Sequence, residues 1–106
     1  MDNGFFESGM TGVIDRLTQA GYVDTFKGEL GGVRALRTGN IHRPEELLID
    51  SIDRFEGISD PDDEALVLAI HCPSDGCRGT YTVPYGYRMS AVDGELIARI
   101  PDARQR

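Results

Sequence analysis

The segment from Ala65 to Ile70 is the feature that most constrains the fold of this chain. It is a continuous apolar run, rich in large side chains, whose length suits a strand covered on both faces. We therefore predict a strand in the interior of a sheet. The turn sequence 73–76 follows it, and the next strand alternates around Tyr81 and Val83, so the two strands are predicted to form a hairpin.

Helices are predicted near both ends of the chain. Apolar residues at i, i+3, i+4 and i+7 predict the first helix, with Ser8 as its N-cap and Gly21 at its end. Near the other end, Asp93-Gly94 is typical of a tight hairpin, but Asp93 can also cap a helix that Pro101 ends, and we favour the helix. The helical faces consist of Met10, Val13, Ile14 and Leu17, and of Leu96, Ile97 and Ile100.

Three further strands are predicted between the two helices. Residues 22–29 and 33–36 flank a Gly31-Gly32 turn, and residues 48–55 alternate imperfectly, which predicts a bulge or an edge position. Proline followed by acids makes residues 43–46 a turn or one helical turn. The sequence therefore predicts an α+β fold with an N-terminal helix, a mostly antiparallel sheet of about four or five strands, and a C-terminal helix.

The chain has 106 residues, the size of one ordinary domain. We expect a single domain over residues 1–106, with disordered ends at 1–7 and 102–106. The first residues lack the basic region and apolar core of a signal peptide, and no apolar run approaches the roughly 18 residues that a membrane span needs. We therefore expect a cytoplasmic protein.

The net charge of −7 arises in one short segment. Residues 45–64 hold nine acids and one base, whereas acids and bases nearly balance in the rest of the chain. This segment would repel a phosphate backbone or an anionic lipid surface, so we expect neither nucleic acid nor membrane as a partner. Self-association into a homodimer, through a sheet edge or an aromatic surface, is the remaining partner hypothesis.

The acidic segment contains the first candidate site. Its carboxylates could hold Mg²⁺ or Ca²⁺, but they lack the spacing of an EF-hand loop, and a solvated turn capped by Asp60 explains them more simply. Arg54, the only base there, either pairs with neighbouring carboxylates or binds an anion. Tyrosines near the sheet end either join the core or line a small-molecule pocket. The candidate ligand-binding residues are Arg54, Glu56, Asp60, Asp62, Asp63, Tyr85 and Tyr87.

Cysteines and histidines form a second candidate set. Their spacing does not match common zinc motifs, in which ligand pairs are separated by about two to four residues, so we expect no metal and no cofactor. A disulfide between Cys72 and Cys77 is conceivable across the hairpin turn, but free thiols suit a reducing cytoplasm better. Cysteine–histidine nucleophilic catalysis needs an arrangement that the sequence does not show. The four residues are His42, His71, Cys72 and Cys77.

Three motifs follow one another along the chain. They are Arg54-Phe55-Glu56-Gly57-Ile58-Ser59-Asp60-Pro61-Asp62-Asp63, then Leu68-Ala69-Ile70, then Tyr85-Gly86-Tyr87. This ordered set resembles a family of small uncharacterised bacterial proteins that are often labelled phosphoribosylpyrophosphate synthetase. The resemblance implies an α+β domain of unknown activity, and it also favours a helix after the second aromatic motif.

These patterns favour a small cytoplasmic binding or regulatory module without enzymatic activity. The alternative is a small enzyme or metal-dependent protein that works through Arg54 and the acidic loop Glu56–Glu64. A zinc-supported structural protein is a third class. The first two hypotheses differ in whether those side chains converge on a concave pocket or extend into water.

Overall fold

The computed structural model describes residues 10–55, 64–84 and 89–105. Two α-helices and six strands lie within these ranges, together with short 3-10 turns at Pro44–Glu46 and Ala103–Gln105. The helices are α1 (Met10–Gln19) and α2 (Ala91–Arg99), and the strands are β1 (Asp24–Glu29), β2 (Gly32–Ala35), β3 (Ile41–His42), β4 (Leu48–Phe55), β5 (Ala65–His71) and β6 (Arg78–Pro84).

The six strands form one mixed sheet in the order β3-β2-β1-β6-β5-β4. Neighbouring strands are antiparallel except for β1 and β6, which are parallel. The predicted interior strand is confirmed, because β5 pairs with β4 on one side and with β6 on the other. The predicted hairpin is confirmed as well, and its turn is closed by the amide of Gly76, which donates to the carbonyl of Cys72 at 2.8 Å.

Alternation along β5 divides the buried residues into two layers. Leu68 and Ile70 belong to the main core, where they pack with Tyr81 of β6 and Leu96 of α2. Val67 and Ala69 alternate with them and point to the opposite face, where α1 packs against β5 and β6. All four residues of Val67–Ile70 are completely shielded from solvent, as expected for a strand covered on both faces.

Both helices are confirmed, with one correction at the second. α1 is followed by Gly21 at φ +109°, a left-handed backbone that glycine adopts without strain, while the expected cap Ser8 lies outside the described residues. The cap of α2 is Ser90 rather than Asp93. The Ser90 hydroxyl accepts the amide of Asp93 at 3.0 Å, and the Asp93 carboxylate in turn accepts hydrogen bonds from Ser90 and from the Tyr81 phenol.

The sheet has six strands instead of the expected four or five. The additional strand is β3, which pairs with β2 through only two residues, too few for a hydrophobic period to be read from the sequence. The expectation for β4 is confirmed on both counts, because this strand lies at a sheet edge and its register shifts between Ile49 and Ser51.

The described residues extend past α2 to Gln105, into the range 102–106 for which disorder is expected. Asp102 forms a bridge to Ile49, and a short 3-10 turn follows it and contacts β4. No helix within the described ranges is long and apolar enough to cross a membrane.

Replacing Leu68 by alanine should lower the free energy of unfolding by about 2–5 kcal/mol, because the leucine side chain is fully buried in the main core. Urea denaturation followed by circular dichroism measures this change. Leu30→Ala is the matched control: Leu30 is 94% exposed, so its replacement should change stability by less than about 0.5 kcal/mol. Equal losses in the two variants would contradict the central position of β5.

Candidate functional site

Most candidates from the acidic segment lie outside the described residues. Arg54, on the edge strand β4, is described, and its Nη2 lies 3.7 Å from Oε1 of Glu64. This contact is of the kind expected if Arg54 pairs with a neighbouring carboxylate. The candidates outside the described residues are Glu56, Asp60, Asp62, Asp63, Tyr85 and Tyr87, so a ligand site there stays a prediction.

A different group of polar side chains meets at the turn of the β5–β6 hairpin. His42 is the last residue of β3, Cys72 follows β5, and Asp75 lies in the turn. One nitrogen, sulfur or oxygen atom from each residue lies within 4.8 Å of those of the other two, and His42 Nε2 is 2.9 Å from Asp75 Oδ2. Imidazole, thiolate and carboxylate are the three ligand types that zinc sites in proteins use. We call these three residues the hairpin triad.

Two residues of the hairpin triad are buried, and the third is partly exposed. His42 is 5% exposed and Cys72 is fully buried, whereas 41% of the Asp75 side chain is accessible. The His42 ring packs edge-on against Phe26, with the ring centroids 6.1 Å apart. Its Nδ1 atom is buried and has no hydrogen-bond partner among the described residues. Such an unsatisfied atom costs about 1–3 kcal/mol, so this buried imidazole needs an explanation.

The Asp75 carboxylate is stabilised in its charged form. The hydrogen bond with His42 lowers the pKa of Asp75 most, and the amide of Cys77, which donates to Oδ1 at 2.8 Å, lowers it further. Both partners favour the carboxylate over the neutral acid. Asp75 therefore presents a negative charge to the hairpin turn at neutral pH.

The two cysteines face each other across the hairpin as free thiols. The Cys72 sulfur is 3.2 Å from the hydroxyl of Ser74, and the Cys77 thiol donates to Asp24 Oδ2 at 3.5 Å. Burial first, and then the nearby Asp24 carboxylate, raise the pKa of Cys77 to about 12. Cys77 is therefore protonated at neutral pH.

Asp24 is a buried carboxylate that joins two parts of the sheet. It is 3% exposed, and its Oδ1 accepts the amides of Thr25 and Arg37, each at 2.7 Å. The amide of Arg37 belongs to the connection between β2 and β3, so this bond holds that connection against the start of β1. Two N–H donors and one thiol thus compensate the buried charge, as buried carboxylates require.

An open pocket of about 320 Å³ lies beside the hairpin triad. Asp75 lines this pocket, together with Cys77, Asp24, Arg37 and Arg78. His42 and Cys72 are not lining residues. The pocket therefore reaches the hairpin triad from the exposed side of Asp75. We call it the hairpin pocket.

A second polar group lies at the same end of the sheet. Asp50 is the unpaired residue of the β4 bulge, and its Oδ2 accepts the Tyr22 phenol at 2.7 Å and lies 2.8 Å from Nδ1 of His71. Burial first, and then this carboxylate, raise the pKa of Tyr22. The Arg78 guanidinium lies over the Tyr22 ring, 5.7 Å from its centroid. The group ties the segment before β1 to β4 and β5.

The sequence predicted parts of the hairpin triad but grouped them differently. His42 and Cys72 were candidates, but alongside His71 and Cys77, which are not members of the triad. His71 precedes Cys72 directly, and neighbouring strand residues point to opposite faces of a sheet. Asp75 was interpreted only as a turn residue. The signal that could have found it is an acid between two cysteines in a tight turn, although its histidine partner is 33 residues away.

Comparisons of the chain with protein-family models, curated proteins and solved structures find no match. The chemistry of the site therefore follows from its own residues.

Cys77 should react slowly with alkylating reagents, because its raised pKa of about 12 leaves little thiolate. At pH 8 we expect iodoacetamide to label it about 50-fold more slowly than in the unfolded chain, since greater nucleophilicity offsets only part of the thiolate shortage. Mass spectrometry of the labelled peptide measures the rate, and the same protein in urea is the control. Equal rates in the native and unfolded chains would be incompatible with a protonated, shielded thiol.

Proposed function

We propose that this protein is a small binding module that holds a divalent transition-metal ion of the zinc class through the hairpin triad. The observation that carries this proposal is the convergence of an imidazole, a thiol and a carboxylate within 4.8 Å. Zinc–ligand bonds of about 2.0–2.3 Å place tetrahedral ligand atoms roughly 3.3–3.8 Å apart. The 2.9 Å contact between His42 and Asp75 would therefore lengthen by about 0.4 Å around an ion, and the wider separations within the triad would shorten by at most about 1.5 Å.

The ligand types favour a transition metal over Mg²⁺ or Ca²⁺. Hard cations take six or more oxygen ligands, and the hairpin triad offers oxygen only from Asp75. A thiolate and an imidazole instead suit zinc and its neighbours in the first transition row. The hairpin triad also differs from the acidic segment in its ligand types, since the acidic segment supplies only carboxylates.

The burial of two ligands supports binding rather than a surface ion pair. His42 and Cys72 are already shielded from water in the folded chain. Binding an ion therefore requires little further desolvation of these two side chains. An ion between them would replace the contact between His42 and Asp75 with two metal bonds. We place this module in the cytoplasm, because a thiol ligand has to stay reduced.

Cobalt titration of the metal-free protein tests the proposal. We expect one equivalent of Co²⁺ to produce tetrahedral d–d absorption together with a thiolate-to-cobalt charge-transfer band, and Zn²⁺ to displace it. Zinc at about 100 times its Kd should also stabilise the fold by about 2.7 kcal/mol, measured by urea denaturation. Absence of the charge-transfer band at saturating cobalt would contradict the proposal.

Matched variants distinguish the hairpin triad from the other candidate ligands. Asp75→Asn should weaken zinc binding at least about tenfold, because it removes one interaction with the metal. The Asp75 side chain is partly exposed, so this substitution should not prevent folding. Cys72→Ser should abolish the charge-transfer band. His71→Ala and Cys77→Ser should leave the affinity within about threefold of wild type. If Cys77→Ser lost the band and Cys72→Ser kept it, the sulfur ligand would be Cys77, and the proposed assignment to Cys72 would be wrong.

A further inference from the structure

We propose that the hairpin pocket binds a small oxyanion, a phosphate or a carboxylate, and that it does so only when a metal ion occupies the hairpin triad. This inference rests on the proposed function. The anion would coordinate the metal and pair with Arg37 and Arg78.

The position of the hairpin triad gives the pocket access to a bound metal. Asp75 lines the pocket, whereas His42 and Cys72 approach from the buried side. A zinc ion held by three protein ligands keeps a fourth position, which water or an exogenous ligand fills. Because protein surrounds the other two ligands, the fourth position is reached from the pocket.

Arg37 and Arg78 supply the anion-binding groups. Both residues line the pocket, and neither guanidinium forms an ion pair with a carboxylate within the described ranges. Arg78 instead lies over the Tyr22 ring and beside Gly21, which is another lining residue. A planar guanidinium binds phosphate or carboxylate oxygens in pairs, which makes it a better oxyanion receptor than an ammonium group.

The arginines of another pocket, beside α2, are occupied differently. This pocket is lined by Arg43 and Arg99, and each of these forms an ion pair with a glutamate. Their charges are therefore already matched by the protein. The hairpin pocket is the one of these two whose arginines lack a carboxylate partner among the described residues.

Charge explains why the metal should be required. Without metal, the Asp24 and Asp75 carboxylates balance the charges of Arg37 and Arg78, and an anion gains little net attraction. A divalent ion adds positive charge beside the pocket, and it also offers the anion a direct bond.

The size of the pocket limits the ligand. About 320 Å³ is at the small end of the range for ligand pockets, roughly 300–1,000 Å³. Four of its ten lining residues are charged, two aspartates and two arginines. A small oxyanion fits this description better than a large apolar molecule does.

Isothermal titration of the full chain with inorganic phosphate, and separately with acetate, tests the inference. We expect the zinc-loaded protein to bind at least one of the two saturably and with at least tenfold higher affinity than the metal-free protein. The tighter ligand identifies the source of the oxyanion. Equal binding with and without zinc, or no binding of either anion to the zinc-loaded protein, would overturn the inference.

Variants separate this inference from the proposed function. Arg37→Gln and Arg78→Gln should each weaken the preferred anion at least fivefold and leave zinc affinity within twofold of wild type. Arg16→Gln, an exposed arginine that does not line the pocket, is the control and should change neither. Failure of zinc binding itself would refute the proposed function and with it this inference. Normal zinc binding with unchanged anion affinity in both pocket variants would refute the inference alone.

Discussion

The parallel pairing of β1 with β6 holds the two halves of this sheet together. Strands β1, β2 and β3 form one antiparallel unit, β4, β5 and β6 form another, and Asp24 pairs with Gly79 where they meet. This approach needs a glycine, because a side chain at position 79 would collide with the backbone of Asp24. The glycine therefore sets how closely β1 can approach the start of β6.

The hairpin triad depends on that junction. His42 belongs to the first unit, and Cys72 and Asp75 belong to the second, so the three side chains meet only when the two units are paired. Asp24 strengthens the same junction, because its buried carboxylate binds the connection after β2 on one side and the Cys77 thiol on the other. Asp24 and Cys77, which strengthen this junction, thus also line the hairpin pocket.

Local patterns made much of the fold predictable, and long-range pairing made the site unpredictable. The apolar run of β5, the turn after it and the face of α1 each lie within one short segment, so periodicity and turn chemistry were sufficient. The two-residue β3 and the parallel β1–β6 pair have no such signal. His42 and Asp75 are far apart in sequence, and their meeting follows from strand order, which no residue pattern of this chain encodes locally.

The identity of the metal ligands is tested most directly by X-ray absorption at the zinc edge of the zinc-loaded protein. Coordination by the hairpin triad predicts one sulfur at about 2.3 Å and a remaining shell of nitrogen and oxygen at about 2.0–2.2 Å. Two sulfur ligands would mean that Cys77 joins the site and closes the position assigned to the anion. A shell without sulfur would contradict the hairpin triad as the metal site.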